Sequence, residues 1–172
     1  MQLSWHPGDH FARGVDSLVD SGDAVFGAIT AFFSAIIDGM ETGLMAVPIP
    51  VMIPVLALLA WYLRGWRNYG LALFSVIVFS LIAMMELWAF TMATLALVLS
   101  STSLALLIGV PVGILAGRKD NAQNVIRPIL DFMQTMPAFV YLIPAVLFFG
   151  LGKVPGAMAT VVFAMPPAVR LT

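Results

Sequence analysis

Beyond Glu41, charge in this chain is confined to the seams between long apolar runs. No Asp, Glu, Lys or Arg falls between Thr42 and Leu63, before Arg64 and Arg67. The same holds from Asn68 to Met85 before Glu86, from Leu87 to Gly117 before Arg118, Lys119 and Asp120, from Phe132 to Gly152 before Lys153, and from Val154 to Val169 before Arg170. A helix crossing the bilayer needs about 17–25 predominantly apolar residues, and lipid forces each backbone polar group to find its partner inside the protein. The runs therefore predict five transmembrane helices. The third is long enough to tilt or to include an external turn near Trp88, and the last is short and draws on its flanks. Composition removes the alternative of a soluble core: 61% of the 172 residues are hydrophobic and 10% charged, against about 45–50% and 25% in soluble domains. The excess must face lipid, and the predicted fold class is an all-α, polytopic transmembrane protein.

Ahead of the runs, residues 1–22 are polar, with Pro7, Asp9, Asp16 and Asp20, and read as a loosely ordered extracytoplasmic tail. They hold neither a basic start nor an early apolar stretch, so they do not form a cleavable signal peptide. From Asp23 to Glu41 the pattern is helical: Val25, Phe26, Ile29, Phe32, Phe33, Ile36, Ile37 and Met40 mark one stripe, and Asp23, Gly27, Thr30, Ser34, Asp38 and Glu41 the other. That spacing predicts an amphipathic helix lying in the membrane interface, or else one packed on another domain. Residues 42–87 follow as two leading transmembrane helices. With the amino terminus outside, Arg64, Arg67, Arg118, Lys119, Arg127 and Arg170 all lie on the cytoplasmic side, and only Arg13 and Lys153 lie outside. The positive-inside rule favours that orientation. Trp61, Tyr62 and Trp66 then belt the inner interface and Trp88 the outer one.

Several chemistries lack their residues. There is no GxxxxGK[ST] phosphate loop, no HExxH and no cysteine, so ATP hydrolysis within the chain, a thiolate metal site and a cysteine nucleophile are excluded. The two histidines, His6 and His10, lie in the polar tail with Pro7 and Gly8 between them, and no metal site is expected. Glu86 and Asp131 are the acids nearest the hydrocarbon, where an ionisable residue invites a functional reading. Glu86 falls at the outer interface, and Asp131 sits four residues after Arg127, the spacing of a same-face ion pair.

Small residues and prolines say more. Gly109, Gly113 and Gly117 recur every fourth residue in IGVPVGILAGR and form one helical stripe on which a neighbouring helix can close. Pro111, in the same stretch, removes a backbone donor and bends the helix. Ser100, Ser101, Thr102 and Ser103 either bond to backbone carbonyls or line a polar path. Pro128, Pro137, Pro144, Pro155, Pro166 and Pro167 crowd the fourth and fifth runs, and the carbonyls they leave unpaired must be satisfied by helices, water or a cavity. Pro137 and Pro144 are, with Pro111, the bending positions.

The stretch from Arg127 to Thr172 resembles the permease subunits of ATP-binding-cassette importers for glycine betaine, proline betaine and choline. MQTMPAFVYLIP, GKVPG and the final FAMPPAVRLT carry the resemblance, and TLALVLSSTSLALLIGVPVGILAGR looks like the same family's preceding helix. The likeness covers residues 88–172 closely, marking them as the start of the permease domain with three of its helices. It implies two permease copies forming the pathway, a separate ATPase subunit holding ATP and Mg, a periplasmic or lipid-anchored binding protein, and no cofactor in this chain. It also implies inner-membrane location, a role in osmoprotection, and path residues in the fourth span, Gln134, Thr135, Phe139 and Tyr141. Family permeases continue into a cytoplasmic EAA-type loop that docks in the ATPase, so the sequence is expected to be a partial one. The rival readings are an ion-coupled secondary transporter using Glu86 or Asp131, and a non-transporting membrane scaffold that binds through its glycine stripe.

Overall fold

The computed structural model describes residues 7–64 and 69–172. His6, Trp66 and Arg67 lie outside them. Every described element is an α-helix: α1 (Pro7–Met45), α2 (Ile49–Arg64), α3 (Gly70–Met84), α4 (Trp88–Arg118), α5 (Asp120–Thr135), α6 (Ala138–Phe149) and α7 (Lys153–Arg170). They fall into two compact units, one of Asp38–Leu97 and one of α1 up to Ile37 together with Val98–Thr172.

The apolar runs and the helices do not coincide one to one, and proline is the reason. Pro48 ends the first run's continuity, since it disfavours helical backbone at the residue before it. Its first residues, 42–45, finish α1, and α2 begins at Ile49. At the other end α1 starts at Pro7, where the ring's fixed φ suits a first helical position, so residues 7–22 extend the helix expected from Asp23. Among the described residues, Gly22–Met45 and Trp88–Arg118 are each long and apolar enough to cross a membrane, and the bent pair α5–α6 adds a third if counted as one span. At 16 and 15 residues, α2 and α3 are shorter apolar helices, about 24 and 22 Å long at 1.5 Å per residue.

In the unit of Asp38–Leu97, α2 and α3 pack on each other, while the indole of Trp88 meets Phe79 edge-on at 6.4 Å. None of the α3 side chains is buried; Leu73, Phe74, Ile77 and Leu81 all stand exposed. A helix apolar all round and uncovered fits lipid, not water. Between α3 and α4 the chain turns through Glu86 at φ 59°. Leu87 N donates to Ile82 O at 3.1 Å and Glu86 N to Ala83 O at 3.2 Å, the paired bonds of a Schellman cap with Glu86 in the left-handed position that glycine usually fills.

In the other unit α7 is the packing centre. It lies against α5 and α6, and its small and branched residues Val154, Ala157, Ala159, Val161 and Val169 are buried. Val161 joins Leu104 and Ala105 of α4 in a core that Phe33, Ile36 and Ala164 cover. Phe26 stacks on Phe148 at 5.3 Å and meets Phe149 edge-on at 5.5 Å. The apolar stripe expected to lie on the membrane interface therefore contributes Phe26, Phe33 and Ile36 to helix–helix packing, leaving Val25 and Phe32 outward.

Candidate functional site

The candidate site forms where α5 meets α6. Along α5, Leu130 is buried and Ala122, Gln123, Ile126 and Met133 are half-buried, while Asn124, Arg127, Asp131 and Gln134 face outward. The three-and-four spacing makes this helix amphipathic. It stops because Pro137 follows: Met136 is forced into extended backbone, φ −89° and ψ 133°, as the residue before a proline must be. The chain resumes at Ala138 with its axis turned by 93°. The uncharged run from Phe132 to Gly152 is thus an elbow rather than one straight span.

A single hydrogen bond repairs the break. In an unbroken helix the Met133 carbonyl would accept from the amide of residue 137, but proline has none. Tyr141 supplies the donor instead: its hydroxyl reaches across the bend to Met133 O at 2.7 Å. This removes an orphaned acceptor, which costs roughly 1–3 kcal/mol when buried, and ties the first turn of α6 to the last turn of α5. Gln134 and Thr135 project from the end of α5 and Phe139 from the start of α6; all three are exposed. Thr135 Oγ1 donates back to Phe132 O at 2.8 Å. The structure therefore gathers Gln134, Thr135, Phe139 and Tyr141 at one bend. Beside it a groove of about 190 Å³ runs between Phe139 and Phe163, floored by Gly156, Ala159 and Thr160.

Below the elbow, Asp131 is held by Arg170: the guanidinium donates to the carboxylate across 39 residues of sequence, joining α5 to α7. The sequence spacing pointed to Arg127 as the partner, one turn away. Arg127 instead faces the side-chain amide of Gln123, so Asp131 is left for the long-range contact. Nothing in the local pattern of α5 foretells this, because the pair exists only once α7 is packed.

The glycine stripe is used unevenly. A Cβ at Gly109 would come 2.8 Å from the Ala168 Cβ, and one at Gly113 would come 2.7 Å from Val169 O, whereas one at Gly117 would meet nothing within 4 Å. Gly117 borders a cavity of about 160 Å³ shared with Gln123, Arg127 and Arg170. α4 and α6 run uninterrupted through Pro111 and Pro144. Ser100 and Ser101 are fully buried and their hydroxyl oxygens have no hydrogen-bond partner among the described residues; Thr102 and Ser103 are exposed.

The match of sequence to known proteins falls on this same region. Residues 109–172 match the family described as binding-protein-dependent transport system inner membrane component. Those residues carry a domain of that family. It is 43% identical over 164 residues to the glycine betaine transport system permease protein OpuAB of Bacillus subtilis (strain 168), covering 95% of this chain and 57% of that one. It is 43% identical over 166 residues to the glycine betaine/carnitine transport permease protein GbuB of Listeria monocytogenes, covering 94% and 58%. To the glycine betaine/proline betaine transport system permease protein ProW of Escherichia coli (strain K12) it is 41% identical over 160 residues, covering 93% and 44%. The chain thus spans about half the length of these relatives. They are transport components, not enzymes.

Proposed function

We propose that this chain is the front part of the transmembrane permease subunit of an ATP-driven importer for quaternary ammonium compatible solutes: glycine betaine, proline betaine or choline. One observation carries the reading, the identity of 41–43% to three permeases of such systems over 93–95% of the chain. The partners are an ATPase subunit that holds ATP and Mg, a substrate-binding protein outside, and a second permease copy. ATP binding and the loaded binding protein each favour one of two arrangements of the membrane helices, and their alternation moves the solute. No finding supports the ion-coupled carrier or the scaffold.

The elbow is the proposed lining of the path. Its exposed polar groups, Gln134 and Thr135, stand at the same bend as the exposed ring of Phe139, a mixture of amide, hydroxyl and aromatic face suited to a methylated ammonium, which is attracted to ring faces, and to its carboxylate. Gly109 and Gly113 are proposed packing positions. Orientation is proposed as amino terminus outside and Arg170 inside the bacterial inner membrane. The grouping of Arg127, Arg170 and the end of α4 around one cavity supports a common basic end, as the positive-inside rule requires. The test uses the full-length parent in cells lacking other betaine uptake. Gln134→Ala and Phe139→Ala should each lower uptake of labelled glycine betaine with normal membrane abundance; unchanged uptake in both would remove the path assignment.

A further inference from the structure

Three features meet at the end of α7. On one side its last turn lies flush on α4, because Gly109 and Gly113 leave no Cβ between the helices. On the other, Arg170 donates to Asp131 of α5. Between them sits a cavity of about 160 Å³ bordered by residues of α4, α5 and α7. A packed contact, a void and an ion pair differ in what they resist. Close packing resists lateral movement. The ion pair, with side chains 43% and 66% exposed, is worth little as an anchor when water reaches it, so it can open and close.

Asp131 lies one turn before Gln134 and Thr135, on the helix that the Tyr141–Met133 bond locks to α6 across the 93° bend. A displacement of α5 therefore carries the elbow with it. We infer that Asp131 is a positioning residue of the transport cycle: through Arg170 it links movement at the basic end of α7 to the α5–α6 elbow that carries the path residues. The local partner Arg127 is turned to Gln123, which leaves the carboxylate available for this longer link. The inference rests on the proposed importer function.

The test uses the full-length permease with its ATPase and binding protein in proteoliposomes, and reads labelled glycine betaine accumulated per ATP hydrolysed. Asp131→Asn and Arg170→Gln should each lower that ratio about 5- to 10-fold, a span typical of coupling between sites, while hydrolysis continues. The exchange Asp131→Arg with Arg170→Asp should restore at least half of the ratio. An unchanged ratio in both single variants, or a parallel loss of uptake and hydrolysis, would overturn the inference and leave the pair a structural contact. A second measurement is independent of the solute. The chain has no cysteine, so Asp131→Cys with Arg170→Cys reports the separation by cross-linking with a short bifunctional maleimide. Its yield should change several-fold between nucleotide-free and ATP-trapped states, and an equal yield would also overturn the link. If the yield responds to ATP while the unsubstituted protein moves no betaine, the solute assignment fails and the link stands.

Discussion

Single carbon atoms decide how α4 meets α7. Gly109→Val and Gly113→Leu put side chains where Ala168 and Val169 already lie within 3 Å of the missing Cβ, and overpacking of this kind costs about 1–3 kcal/mol. Both should lower the melting temperature of the detergent-solubilised permease. Gly117→Ala meets open space and gains up to about 1 kcal/mol of helix propensity, so it should leave the melting temperature level or raise it. The four-residue spacing of these glycines is legible in the sequence. Which of them are covered is not, since it depends on where the last turn of α7 crosses the stripe. Glu86 is a second case. Its left-handed backbone costs an ordinary residue about 1–2 kcal/mol and costs glycine almost nothing, so Glu86→Gly should stabilise the α3–α4 turn by about 1 kcal/mol, seen as a higher melting temperature. Sequence reasoning placed Glu86 by its charge and did not see the cap, because no glycine marks it.

At the scale of elements, charge spacing marked where the helical segments break, and proline decided where within the runs they broke. The seams at Arg64, Arg118 and Arg170 fall at the ends of α2, α4 and α7. The elbow was less legible: Pro137 announces a bend, but its 93° angle and the Tyr141 bond across it follow from packing. The helix before the first run differs most. Its stripe reads equally as a membrane-facing or a helix-facing surface, since both are apolar, and the contacts of Phe33 and Ile36 with the α4–α7 core and of Phe26 with Phe148 distinguish them. The proposed orientation can be tested in the same cysteine-free background. Ala24→Cys and Glu86→Cys should react with a membrane-impermeant maleimide in intact cells, and Lys119→Cys only after permeabilisation. Reaction of Ala24→Cys only after permeabilisation would make α1 a span and place the amino terminus inside.

For the molecule as a whole, the membrane class follows from the sparing use of charge, and the family from motifs between Arg127 and Thr172 that fold into the elbow and α7. The sequence carries the family because those pieces are contiguous in the chain. It does not carry the Asp131–Arg170 link, whose partners stand far apart until the fold joins them. The proposed role of the whole molecule is solute import driven by a partner's ATP. Its most direct test is accumulation of labelled glycine betaine in proteoliposomes holding the full-length permease, its ATPase and its binding protein, with ATP supplied on the ATPase side. The expected result is accumulation above the external concentration that requires ATP and binding protein and survives collapse of proton and sodium gradients. Accumulation that follows an ion gradient and ignores ATP would contradict it.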